Sequence, residues 1–182
     1  MCLQRTLLFL LLFQASTALN AQLVPLSLEQ RVINSDVVFE GKVISKSASW
    51  DEQRRHIYTT NLISVYKVFK GEIKSSTVEV VTIGGTVGND REDVSYGLKL
   101  QEGSIGIFTC IPNTVRLSSA QGKTQLKVYS EIQGFIRYDL KTGSARDVFR
   151  EYNKVTEDIY VPVQKIMHSK YKIMNKADFK IK

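Results

Sequence analysis

The sequence predicts a mainly β fold: a small, curled, five-stranded antiparallel barrel behind a short N-terminal helix, with an irregular or partly helical C-terminal tail. A sandwich is the alternative. Three observations predict it. Five apolar segments with strand-like alternation succeed one another between residues 36 and 140, as in closed all-β folds built from short strands and turns. Two of them carry a glycine in mid-run, Gly41 and Gly134, which lets a strand bend round a barrel corner. No internal repeat and no low-complexity linker divides the chain, so the polypeptide beyond the leader is expected to form one domain with a real core.

The first segment has the layout of a secretory signal peptide. Arg5 gives a positive start, Leu7 to Phe13 is an unbroken apolar run, and small residues come next. The run is shorter than the ~20 residues a spanning helix needs. Ser16 and Ala18 suit cleavage after Ala18, with Ala21 the rival. The expected organisation is a signal peptide over 1–21, a β module over 22–160 and a basic tail over 161–182. Export implies a periplasmic, cell-surface or secreted location.

Ser27 is placed to cap a short helix, with Gln30 as its capping-box partner. Leu28, Val32 and Ile33 then share a face, and Asn34-Ser35-Asp36 ends it. DVVFEGKVISKS is the first strand, with Gly41 marking a bulge or bend. HIYTTNLISVYKVFKG is the longest β pattern. Tyr58, Thr60, Leu62, Ser64, Tyr66 and Val68 form one face; Ile57, Thr59, Ile63, Val65 and Phe69 form the other. Both faces are rich in β-branched and aromatic residues, which predicts cover on both sides. TVEVVTIGG and SIGIFTCIP are the third and fourth strands. LKVYSEIQGFIRYDL reads as one long fifth strand. Beyond Asp139 the pattern weakens, and Pro162 is expected to interrupt any long helix.

The formal charge of +7 belongs mostly to the end of the chain. Residues 165–182 hold six lysines and one aspartate, whereas 22–164 hold 18 basic and 17 acidic side chains. The body therefore carries no nucleic-acid footprint spread over a face. The tail is expected to be solvated and partly frayed, or to touch an anionic lipid or polysaccharide surface.

Chemistry-bearing residues are few. Only His56 and His168 are present; there is no HExxH and no G-x-S-x-G, so neither a zincin nor a nucleophile elbow is expected. Loss of the leader removes Cys2 and leaves Cys110, in the apolar context GIFTCIP, as a buried small hydrophobe. Gly84, Gly85 and Gly88 lack the residues that make a phosphate loop. Asn89, Asp90, Glu92 and Asp93 offer oxygen ligands of the kind calcium takes, but without its loop spacing; a solvated loop is the expected reading, and no metal or cofactor is assigned. Arg54-Arg55 beside Asp51-Glu52 form a self-compensating charged hairpin tip next to Trp50. The candidate contact residues are thus Trp50, Asp51, Arg54, Arg55, Asn89, Asp90, Glu92, Asp93 and Tyr96, on two loops expected at one barrel end. No catalytic set stands out.

The runs LSLEQRVINSDVVFEGKVISKSASWD, IYTTNLISVYKVFKGE, VEVVTIGG and GFIRYDL resemble the N-terminal module of large secreted bacterial surface proteins. The shared features are a helix ending in SD, a GKV strand, a W-D tip, IYT, and V-Y-K-x-F-K-G, over roughly residues 25 to 160. Several such proteins continue into metalloprotease or adhesive β-repeat domains and end in a type IX secretion sorting domain. The resemblance implies an OB-like fold, similar in outline to the five-stranded barrel of tissue inhibitors of metalloproteinases. It implies no catalytic residue. The expectation is a non-catalytic exported binding or accessory domain, with a cell-surface protein or polysaccharide as partner and no nucleic acid. A prodomain-like or inhibitor-like module associated with a secreted metalloprotease is the alternative.

Overall fold

The computed structural model describes residues 23–117 and 125–181; the expected signal peptide lies outside them. The fold is mainly β. The elements are α1 (Leu28–Asn34), β1 (Val37–Trp50), β2 (Ile57–Lys70), β3 (Thr77–Ile83), β4 (Gly85–Val87), β5 (Asp90–Glu92), β6 (Ile105–Pro112), β7 (Gln125–Val128), β8 (Phe135–Asp139), β9 (Ser144–Arg146), β10 (Glu151–Tyr152), α2 (Val161–Met167) and β11 (Lys172–Ile173).

Sheet hydrogen bonding closes on itself through five strands, in the order β1, β2, β3, β7, β6 and back to β1. Four of these pairings are antiparallel, while β3 and β7 run parallel. The sequence reading expected antiparallel pairing throughout. A ring with an odd number of strands cannot alternate direction all the way round, so one pair has to be parallel. The ring encloses Phe39, Val43, Ile63, Val65, Val80, Phe108, Cys110, Leu126, Val128 and Phe135, and Leu98 and Leu100 join them from the segment before β6. Phe108 stacks on Phe39 at 5.1 Å between centroids and tilts against Phe135 at 4.5 Å.

β6 also pairs with β8, which leads to β9 and β10. This wing, α1 and α2 trap a second core on the outer face of β1 and β6. It contains Val32, Val38, Phe69, Ile107, Ile136, Tyr138, Ile159 and Val163. Adjacent residues of β1 and β6 therefore serve different cores: Val38 and Ile107 outside, Phe39 and Phe108 inside.

Gly41 bends β1 as expected of a strand glycine. The register with β2 slips between Glu40 and Gly41, and a Cβ there would meet Ile63 Cγ2 at 2.5 Å and Ser64 O at 2.8 Å. The slip leaves Tyr66 without a partner on β1 and inverts the faces of β2 beyond it: Val68 turns into the ring and Phe69 turns outward. The alternation read from sequence placed these two the other way, because alternation cannot show a bulge.

Two further expectations are corrected. The stretch LKVYSEIQGFIRYDL is two strands, β7 and β8, separated by a 3₁₀ turn over Glu131–Gln133. Ser130 and Glu131 adopt positive φ and break the extended chain, so Gly134 caps a turn and does not sit mid-strand. Pro162 does not stop the helix. A π-helical stretch over Thr156–Tyr160 runs directly into α2, with the Val161 amide donating to Thr156 O. That wider turn accommodates a proline ring that brings no N–H.

The tail is docked. After His168 caps α2 in the left-handed region, residues 170–181 cross β2 and β1 as a strap. β11 pairs with Lys67 and Val68 of β2, where β3 has ended. The Tyr66 carbonyl, freed by the bulge, accepts from Met174 N at 2.8 Å. Asn175 Nδ2 donates to Val65 O at 2.8 Å, and Asp178 accepts from Tyr66 OH at 2.7 Å and Lys42 Nζ at 2.6 Å. Phe179 packs edge-on against Tyr66.

Candidate functional site

The two candidate loops meet at one end of the ring. The β1–β2 hairpin turns at residues 51–56 because Asp51 is a local organiser. Its Oδ1 accepts from Arg55 N at 2.7 Å, its backbone N donates to His56 O, and its carboxylate lies 3.8 Å from Arg55 Nε. Asp51 is buried and Arg55 exposed. The self-compensating charge pattern read in the sequence is thus Asp51 with Arg55. Arg54, at φ 56, lies over the Trp50 ring with its guanidinium carbon 5.9 Å from the centroid.

β4 and β5 form a second, smaller hairpin turned by Gly88 and Asn89. Gly84 N donates to Ile57 O at 2.8 Å, and Thr59 Oγ1 donates to Gly84 O at 2.7 Å. Gly85 sits so close to Thr59, Ala48 and Ile57 that a Cβ would press on all three. The glycines thus let this hairpin lie tight against the mouth of the ring.

The acidic residues are dispersed among different partners. Glu92 Oε2 accepts from Ile57 N at 2.6 Å, and its Oε1 lies 2.9 Å from His56 Nδ1. The Ile57 amide, aided by His56, holds the Glu92 carboxyl below its ordinary value. Asp93 lies 2.5 Å from Lys99 Nζ and 3.5 Å from Arg91, and these cations lower its pKa also. Asn89 and Asp90 stand exposed on the hairpin turn. Among the described residues no group of three or more His, Cys, Asp and Glu side chains is arranged to hold a metal ion. Tyr96 is 53% exposed, and its carbonyl accepts from Ile132 N, which ties the segment to the turn between β7 and β8.

Between the small hairpin and the ring mouth lies a cleft of about 240 Å³. Its wall is made by Lys46, Thr59, Thr82, Gly84, Gly85, Thr86, Arg91, Glu92, Asp93 and Lys99, with Leu98 and Leu100 among its apolar lining. Lys46 Nζ is fixed by Leu100 O at 2.6 Å. Beneath the cleft, Thr82 accepts from the buried Asn61 amide at 3.1 Å, and Asn61 Oδ1 has no hydrogen-bond partner. The mouth is therefore polar, of mixed charge and backed by an apolar floor. It suits a small polar group or a side chain presented by a partner. Of the sequence candidates, Glu92 and Asp93 line this cleft. Trp50, Asp51, Arg54 and Arg55 form the adjoining hairpin tip, joined to it through His56 and Glu92.

Two polar clusters escaped the sequence reading. Glu40, fully buried on the outer face of β1, accepts from Lys67 Nζ at 2.6 Å, Tyr138 OH at 3.2 Å and Tyr160 OH. Lys67 Nζ lies 4.9 Å from the Tyr160 ring centroid and 5.6 Å from that of Tyr171. Burial and the Glu40 charge push the Tyr138 and Tyr160 phenols far above their ordinary value. Both phenols hold their protons at neutral pH, and their hydrogen bonds to Glu40 clamp the start of α2 to the sheet. In the second cluster Arg31, 1% exposed, donates from Nη1 to Gln133 O at 2.6 Å and from Nη2 to Asp147 at 2.7 Å and Tyr152 OH at 2.8 Å. It anchors α1. The only sequence signal was position: Glu40 and Lys67 stand inside apolar runs, and Arg31 lies three residues after Leu28 on the helix. Cys110 is fully buried, and burial raises its thiol pKa, which leaves it protonated and unreactive.

The chain matches no protein-family model and no curated protein.

Proposed function

We propose that this chain is a non-catalytic exported binding or accessory domain, periplasmic, at the cell surface or secreted, built on a small OB-like barrel. The working surface is the end of the ring where the two hairpins converge. The observation that carries this reading is the cleft of about 240 Å³ held open between the β4–β5 hairpin and the ring mouth. The clamp of Glu92 on Ile57 and His56 braces it. A fixed cleft offers affinity without the ordering cost a mobile loop would carry. The ring order supports the OB-like description: three antiparallel strands in sequence, then two that close the circle, the last parallel to the third. Its fit is to a protein or polysaccharide of the cell surface, as in the modules of secreted bacterial surface proteins that the sequence resembles.

The test is capture from envelope and secreted fractions with the wild-type protein and with a Lys46→Ala/Arg91→Ala/Lys99→Ala variant of unchanged melting temperature. Ligands that the wild type retains and the variant loses support the cleft. An identical captured set sinks the assignment, and breakdown of a captured ligand sinks the non-catalytic reading.

A further inference from the structure

We propose that the C-terminal strap carries a second binding surface, a row of exposed lysines that takes a linear polyanion of the acidic-polysaccharide class. The strap is a strand at Lys172–Ile173 and bends at Asn175 and at Asp178–Phe179, so which side chains it buries is set by its docking contacts. Tyr171, Met174, Asn175, Ala177, Phe179 and Ile181 are partly buried, while Ile173 is exposed. Tyr171, Phe179 and Ile181 pack on the outer core. Docking of Tyr171, Met174, Asn175, Phe179 and Ile181 against the body thus leaves Lys170, Lys172, Lys176 and Lys180 exposed along the strap.

The described cations of the body are of two kinds: some, among them Lys46, Arg54, Lys70, Lys74, Arg116, Lys127, Arg137, Lys141, Arg146 and Arg150, have no carboxylate within ion-pair distance among the described residues, and others do. Arg31, Lys42, Arg55, Lys67, Arg91, Lys99 and Lys154 each lie within ion-pair distance of a carboxylate. Among the described residues none of the four strap lysines does. The one acid of the strap, Asp178, is taken by Lys42 and Tyr66. The result is a positive row held in place by the docked strap, with no counter-charge of its own, which attracts a chain of repeating negative charge.

The form of the row selects among polyanions. A bilayer would need a continuous apolar face beside the lysines, but the apolar residues of the strap, other than Ile173, are turned toward the body. A single-stranded nucleic acid would need exposed rings on which to stack bases, and Tyr171 and Phe179 are packed against Phe69 and Tyr66. A polysaccharide bearing regular carboxylates needs neither. This surface is separate from the cleft, so the two stand or fall independently.

The experiment titrates the protein with polygalacturonate, a linear polyuronate, at several salt concentrations. Saturable binding that weakens with salt is expected. Lys172→Gln/Lys176→Gln/Lys180→Gln should weaken it on the order of a hundredfold, at roughly fivefold per lysine, without lowering the melting temperature. Tyr171→Ala/Phe179→Ala, which undocks the strap while keeping every lysine, should also weaken it; the Lys46→Ala/Arg91→Ala/Lys99→Ala cleft variant should bind as wild type does. Absence of wild-type binding overturns the proposal. So does equal affinity of the lysine or the undocking variant, or tighter binding to anionic phospholipid vesicles or single-stranded DNA than to the polyuronate.

Discussion

At the scale of single residues, Arg31 shows what the sequence can and cannot tell. A capped helix with Leu28 and Val32 on one face was legible from spacing, and both are buried. The third expected member, Ile33, is 55% exposed, and Arg31 takes the inner place. Nothing local marks an arginine as buried: its partners Gln133, Asp147 and Tyr152 lie more than 100 residues away in the chain. Arg31→Ala leaves the nearly buried Asp147 carboxylate unpaired and should cost about 3–5 kcal/mol in urea denaturation. Arg31→Met/Asp147→Leu removes both charges and should recover most of that loss. At the other end, Glu92 has a lowered pKa, so the stability it adds is present above its ordinary value of 4.5 and drains away as pH falls below it. Thermal scans of wild type and Glu92→Gln should differ at neutral pH and converge under acid. A difference that persists would show that the Ile57 and His56 contacts do not depend on the charge.

Among the elements, β2 was the most legible, because fourteen residues of alternating apolar character leave little choice. Its face reversal at Tyr66 was not, since the bulge arises from pairing with β1 and not from anything local to β2. The strap was the least legible. Six lysines in the last eighteen residues read as a solvated end, yet it is fastened at the bulge: Tyr66 O and OH both hold it. Burial, and then Asp178, push the Tyr66 phenol up to about 12 from an ordinary 10.0. Above 10.0 the unfolded chain gives up this proton while the folded chain keeps it, so the contribution of Tyr66 is whole below 10.0 and is lost as pH rises towards 12. Amide exchange of Met174 and Asn175 should therefore speed up over that interval more than exchange of Val80 in β3. Tyr66→Phe should loosen the strap already at neutral pH, at a cost of about 1 kcal/mol. Equal strap protection in wild type and Tyr66→Phe would place its anchoring elsewhere.

For the whole molecule, the arrangement of its two cores decides how it unfolds. Cys110, the cysteine among the described residues, is free, so stability rests on packing. β1 and β6 form a shared wall: Phe39 faces Phe108 inside the ring, while Val38 and Ile107 face the helices and the wing. Neither layer keeps its wall if the other melts, which predicts a single cooperative transition. Neighbouring residues of β6 test this. Phe108→Ala empties the ring core between Phe39 and Phe135 and should cost roughly 3–5 kcal/mol; Ile107→Ala empties the outer core and should cost roughly 2–5 kcal/mol. Trp50, the one tryptophan of the chain, stands at the ring end and reports that layer by fluorescence, whereas circular dichroism at helical wavelengths weights the layer holding α1 and α2. In both variants the two signals should fall at one midpoint. A ring that melts in Phe108→Ala while the helical signal survives would mean that the layers fold separately, and that β6 joins two units instead of serving one.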